Sequence, residues 1–130
     1  MSLSNFAENL LLDWMFTAGT ADRPAAWYVA LHTGDPGETG ANEVLVATDA
    51  DYVRKSVTFG AASGGANAST SQVSWTVNSG SAGYTVTHAS IWDASTSGNC
   101  LISGILASSR TLAALGVLTF EIGEVIAALD

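Results

Sequence analysis

Two histidines, one cysteine and a set of loop carboxylates are the residues whose types can do chemistry here. His32, His88 and Cys100 are of the kinds zinc takes. Their spacing matches no compact zinc motif, and a structural zinc site takes four ligands. Asp35, Glu38 and Glu43 offer oxygens in one loop, but the alternating Asp/Asn ladder of calcium loops is missing. Serines abound without a Gly-x-Ser-x-Gly elbow, so a Ser–His–Asp set can be drawn from many residues and singles out none. No glycine cluster follows a strand and opens a helix, as nucleotide sites require. The expectation is a non-enzyme with no catalytic or metal residues and no cofactor. The histidines read as hydrogen-bonded structural groups, Cys100 as a small buried hydrophobe, and the carboxylates as solvated.

Aromatic residues are the other candidates. Four tryptophans are many for 130 residues. Tryptophan buries a large area and often keeps its N–H at a wet or interfacial boundary. Phe6, Leu10, Trp14, Trp27, Tyr52, Trp75 and Trp92 are therefore the candidate interface, as a hot spot between subunits. Stacking on sugar rings is an alternative, and core packing is the first guess for each.

The chain that must position them is 48% hydrophobic and only 12% charged. That charged share is half the roughly 25% usual for soluble domains. Small neutral polar side chains fill the gap, and low charge leaves little to oppose association. Twelve acids against four scattered bases give a net charge of −8. A nucleic-acid partner needs a cationic footprint, so nucleic acid and anionic membrane are both excluded as partners. The first residues lack a basic start and apolar run of a leader, and no apolar stretch approaches the roughly 20 residues that span a bilayer.

Length predicts one domain: residues 1–20 as an N-terminal helix and linker, residues 21–130 as a β-sandwich. Phe6, Leu10 and Trp14 lie four apart in residues 4–16, an apolar stripe at helical spacing. Ser4, or Asn5 with Glu8, caps it, and Gly19 ends it. The stripe docks either on the sheet or on a neighbouring subunit. Residues 84–106 predict the central hairpin. Alternation over 84–92 gives one strand, 93–99 the turn, and 100–106 the return. Further strands are expected over 26–33, 52–59, 72–77, 117–122 and 125–129. Residues 41–51 read as an exposed acidic stretch, and 60–71, GAASGGANASTS, as a surface loop. A helix over 111–118 is weakened by Gly116. Short strands with Gly- and Ser-rich connections indicate a mainly β fold, sandwich or jelly-roll-like, with one N-terminal α-helix. A small barrel is the alternative.

A series of stretches in order resembles a known family: a Ser-Leu-Ser-x-Phe start, YVALHTGDPGETG over 28–40, YVRK over 52–55, VTFGAAS over 57–63, VTHASIWD over 86–93, GNCL over 98–101, LTF over 118–120 and the terminal LD. These are similar to short virion proteins of tailed bacteriophages, often labelled tail fibre proteins. Residues 111–117 depart from the family's usual polar Gly-Asp loop. The resemblance implies a virion component at the particle surface, made in the bacterial host cytoplasm. Its partners would be itself, as a dimer or trimer, and the major capsid protein or tail proteins. A capsid-decorating cement protein comes first, because a compact domain of this size without a fibre shaft suits that role better; cement works because whatever binds only the assembled shell stabilises it. A tail fibre or tail-tip component that meets the host receptor is the alternative. Contacts are expected from the helix and from the loops over 34–49 and 60–71.

Overall fold

The computed structural model describes residues 2–19 and 21–129. Met1, Thr20 and Asp130, which belong to the expected helix-and-linker and sandwich spans, lie outside these. The fold is mainly β with one helix. In chain order the elements are β1 (Ser2–Leu3), α1 (Asn5–Phe16), β2 (Trp27–His32), β3 (Lys55–Val57), β4 (Ala66–Ala68), β5 (Val73–Thr76), β6 (Tyr84–Trp92), β7 (Cys100–Leu112), β8 (Val117–Phe120) and β9 (Ile126–Ala128). A five-stranded antiparallel sheet runs β1-β7-β6-β2-β3, and the pairs β5-β8 and β4-β9 complete the strands.

The hairpin β6–β7 forms the centre of the large sheet. Its turn closes where Asp93 accepts hydrogen bonds from the Asn99 backbone and side chain, at 2.7 and 2.8 Å. β7 runs on to Leu112, beyond the expected end at 106. The expected strict alternation along 84–92 breaks in the middle. Val86 pairs with Arg110 and His88 with Ile105, so residues 106–109 of β7 stand against Thr87 of β6 alone. Such a bulge bends a strand and re-aims its side chains. Tyr84 and Val86 face the main core before the break, and Ala89 faces it afterwards.

The front of the large sheet meets β5 and β8. Val29, Leu31, Val57, Val86 and Leu112 pack there against Val73, Trp75, Val77 and Leu118, giving one sandwich-like core. Trp75 meets Phe120 edge-on at 5.9 Å and donates its indole N–H to the Val53 carbonyl. The expected strand over 52–59 shrinks to β3, and the side chains of Tyr52 and Arg54 bond to other segments, described below. The residues expected as a loop over 60–71 contain β4, which pairs with β9 in register from Ala66↔Ala128. Gly64 and Gly65, at φ +60° and +80°, make the tight turn, a backbone suited to a two-residue hairpin loop. No helix forms over 111–118: β7 turns back into β8 through Leu115, at φ +63°.

The stretch over 41–51 is not simply exposed. Asp49 is 1% exposed. Its Oδ1 accepts the Asp51 and Asn78 backbone N–H groups at 3.1 and 3.0 Å, and Oδ2 accepts the Tyr84 hydroxyl at 2.8 Å. Burial, then the carboxylate beside it, pushes the Tyr84 phenol up, so it stays a donor. A buried carboxylate is tolerated only when its lone pairs are filled, and this one ties three segments at one end of the sandwich. Asp49→Ala leaves three donors without their acceptor. It should cost about 3 kcal/mol and lower the melting temperature by roughly 10 °C, read by thermal unfolding; an unchanged melt would remove Asp49 as a tie.

Candidate functional site

The polar side chains with the most chemical potential gather behind the large sheet. There β2 and β6 pair with Ala30 opposite Ser90 and His32 opposite His88. His32 is fully buried and Ser90 nearly so. The Ala41 carbonyl lies 2.8 Å from His32 Nδ1 and Ser90 Oγ lies 2.6 Å from Nε2. A carbonyl only accepts, so Nδ1 carries the proton and Nε2 accepts the Ser90 hydroxyl proton. Ser90 Oγ in turn accepts the Trp92 indole N–H at 2.7 Å. Every polar atom of this relay is satisfied with the imidazole neutral. Desolvation is the main cause holding the His32 pKa below its ordinary value.

A serine hydroxyl on a histidine nitrogen is the beginning of a nucleophilic pair. Two features turn this one to structure. The third group is a backbone carbonyl where a hydrolase has a carboxylate, and both side chains are sealed from solvent. The relay instead fixes the loop over 34–43, whose Ala41 it grips. The loop also holds itself: Asp35 Oδ1 accepts the Gly37 N–H and the Asp35 carbonyl accepts from Asn42 Nδ2, each at 2.9 Å. Gly40, at φ +74°, passes so close under Trp92 that a Cβ there would lie 2.1 Å from Cζ2. Only glycine fits that approach.

Arg54 closes the cluster. Its guanidinium carbon lies 3.5 Å from the centre of the Trp92 ring. Nε and Nη2 donate to the two Glu43 oxygens at 2.9 and 2.8 Å, and Nη1 donates to the Ala94 and Ser97 carbonyls at 3.0 and 2.7 Å. Tyr52 donates to Glu43 Oε1 and accepts the Leu31 N–H, both at 3.0 Å. Burial pushes the Tyr52 phenol well up. Cys100 lies in the same back layer with Ala30 and Trp92. Burial lifts its thiol to about 11, so it stays protonated.

The loop carboxylates considered for calcium are thus dispersed. Asp35 holds its own turn, Glu43 pairs with Arg54, and Glu38 accepts the Asn5 N–H at 2.7 Å, at the start of α1. His88 bonds Thr87 at 2.8 Å. Among the described residues no cluster of three or more His, Cys, Asp or Glu is arranged to hold a metal ion.

The candidate interface residues divide. Tyr52, Trp75 and Trp92 are buried within the chain. Trp27 is half-buried, edge-on to Phe59 at 6.4 Å, with the Arg23 guanidinium 6.0 Å from its ring. Leu10 is partly covered. Phe6 and Trp14 stand exposed on α1. The helix is capped by Ser4, which accepts the Ala7 N–H and donates to the Cys100 carbonyl. β1 pairs Leu3 with Ile102 and anchors it to the edge of β7. Of its 12 residues only Ala7 is buried, while Trp14 is 70% and Phe16 78% exposed. Leu12 and Met15, which lie outside the Phe6–Leu10–Trp14 stripe, are also more than half exposed. Of the stripe, Leu10 is partly covered, while Phe6 and Trp14 are left uncovered by the sheet. The signal for this was present, since Leu12, Met15 and Phe16 place apolar side chains outside the stripe, more than one buried face can cover.

Because His32 is neutral when folded and has an ordinary pKa of 6.5, the unfolded chain takes up its proton first as pH falls. Stability is full above that value and declines below it, by at most about 1.4 kcal/mol per pH unit from this group. Melting temperature should drop between pH 7 and 5, and a His32→Gln variant should show a smaller drop over that window. An equal drop in the variant would assign the effect to other groups.

With the geometry in place, comparison with known proteins gives one family. A family model described as podophage GP4 fiber I protein gp80 matches residues 2–128. No curated protein matches the sequence.

Proposed function

The chain belongs to the family of the podophage GP4 fiber I protein gp80, and from that premise we propose that it is a non-enzymatic building block of the phage tail fibre, acting by docking on other subunits. That it is a phage structural protein and a virion component follows from the family. The tail position and the docking role are the finer reading. The sequence reading put capsid decoration first. The family's description as a fiber protein, matched over residues 2–128, is the single observation that moves the weight to the fibre.

Two features of the chain support docking over catalysis. The histidine, serine and arginine best suited to chemistry are engaged inside the back layer. The largest apolar side chains outside the core stand on one helix at the sheet edge. Contiguous exposed apolar surface beyond a few hundred Å² marks an interaction site. No described helix is long and apolar enough to cross a membrane. In this reading the partners are sister copies and neighbouring tail proteins, and no cofactor takes part.

Gold-labelled antibody against the protein should decorate the tail end of intact particles in electron micrographs. Label spread over the head would replace the fibre reading by the cement reading. Phage carrying the chain without residues 1–19 should incorporate it several-fold less, measured by quantitative blotting of purified particles. Unchanged occupancy would take the helix out of the docking role.

A further inference from the structure

We infer that the loop over 34–43 is a flap worked by pH: acidification opens it locally so that His32 can take a proton, and the opening frees the first turn of α1 while the front core stays folded. This goes beyond the docking role and does not depend on it. The relay leaves His32 no place for a second proton. Nδ1 already donates to the Ala41 carbonyl. Nε2 accepts from Ser90, whose oxygen accepts the Trp92 indole N–H. A proton on Nε2 would make it a donor and displace the serine proton from its acceptor. It would also charge a fully buried ring, which is costly without a partner. The charged and titratable groups packed around the ring offer little. Glu43, from the loop, favours the charge but is held by Arg54. Arg54 itself, and His88 opposite on β6, work against it. Tyr52 and Cys100 stay neutral.

The seal over the ring is thin. Over residues 33–42 only Pro36 and Gly40 are buried, and Gly34 is partly covered. No residue of 34–43 belongs to the main core. A segment with so few buried contacts opens at a fraction of the cost of global unfolding. The proton therefore has a cheaper way in than melting the sandwich.

The helix feels the opening through one contact. Glu38 of the loop accepts the Asn5 N–H at 2.7 Å, and a carboxylate at that end steadies a helix. Ser4 stays bonded to the Cys100 and Leu101 carbonyls of β7. With the flap open, α1 loosens at its first turn without detaching.

Amide hydrogen exchange of the purified chain, expressed as protection factors at pH 7 and pH 5, tests this. The open state takes its proton at the ordinary histidine value of 6.5, so opening grows as pH falls below it, by at most about tenfold per pH unit. The amides of Thr33, Ala41 and Asn5 are bonded to Asn42, Pro36 and Glu38. They should lose protection together by roughly 10- to 25-fold between the two pH values. His32→Gln cannot take the proton, so there the same amides should hold their protection within about twofold. Strand amides of β5 and β8 should remain at least about a hundredfold better protected at both pH values. Loop amides as protected as those strands would make the opening global and overturn the proposal. Loop protection that ignores pH in the wild type, an Asn5 amide that does not follow the loop, or an equal fall in His32→Gln would each overturn it as well. All but the last are read on the wild type, so they decide the matter even if the variant fails to fold.

Discussion

The Arg54 guanidinium, pressed against the Trp92 ring at 3.5 Å, is the contact on which the back of the molecule depends. A buried cation is costly unless its donors are filled. Here the fork grips Glu43 and the remaining edge reaches two turn carbonyls. The planar fork makes this possible; a lysine ammonium has neither the shape nor the flat face to stack. Three segments distant in sequence are joined: the approach to β3, the loop over 34–43 and the turn over 93–99. The loop, once held, carries Gly40 beneath Trp92 and Glu38 to the first turn of α1. The direction in which the exposed helix leaves the sheet is thus linked to a buried ion pair and an aromatic ring.

That linkage gives the molecule two unlike layers. In front, apolar side chains from the large sheet and from β5 and β8 form an ordinary core. Behind, a small core of Ala30, Trp92 and Cys100 is surrounded by the His32–Ser90 relay and the arginine. Low-dielectric polar networks set geometry when every member is satisfied. Among the described residues no buried side-chain polar atom lacks a partner.

What could be read from the chain was what depends on local pattern. The period of two gave the central hairpin, and residues 4–16 gave the helix and its Ser4 cap, because both signals lie within a dozen residues. Long-range pairing was less legible. GAASGGANASTS looked like loop because small residues carry no periodic signal; β4 forms within it through a partner 62 positions away at Ala128. Asp49 and Glu43 read as solvated carboxylates, since composition favours that for an acidic loop. Their partners, Tyr84 and Arg54, are 35 and 11 positions away, and nothing local points to them. The tryptophans were equally ambiguous. Trp75 and Trp92 sit in strands and fill the two cores, while Trp14 has the same chemistry on a helix that the sheet does not cover. Only tertiary contact separates those cases.

Cys100 has a consequence for the life of the particle. It is the sole sulfhydryl in the chain, it is 4% exposed, and burial holds it in its protonated, unreactive form at neutral pH. A virion component passes from a reducing cytoplasm into oxidising surroundings, where accessible thiols on crowded neighbours would couple at random. Packing the sulfur behind Trp92 removes that hazard from this chain, because the thiol is neither ionised nor within reach of another.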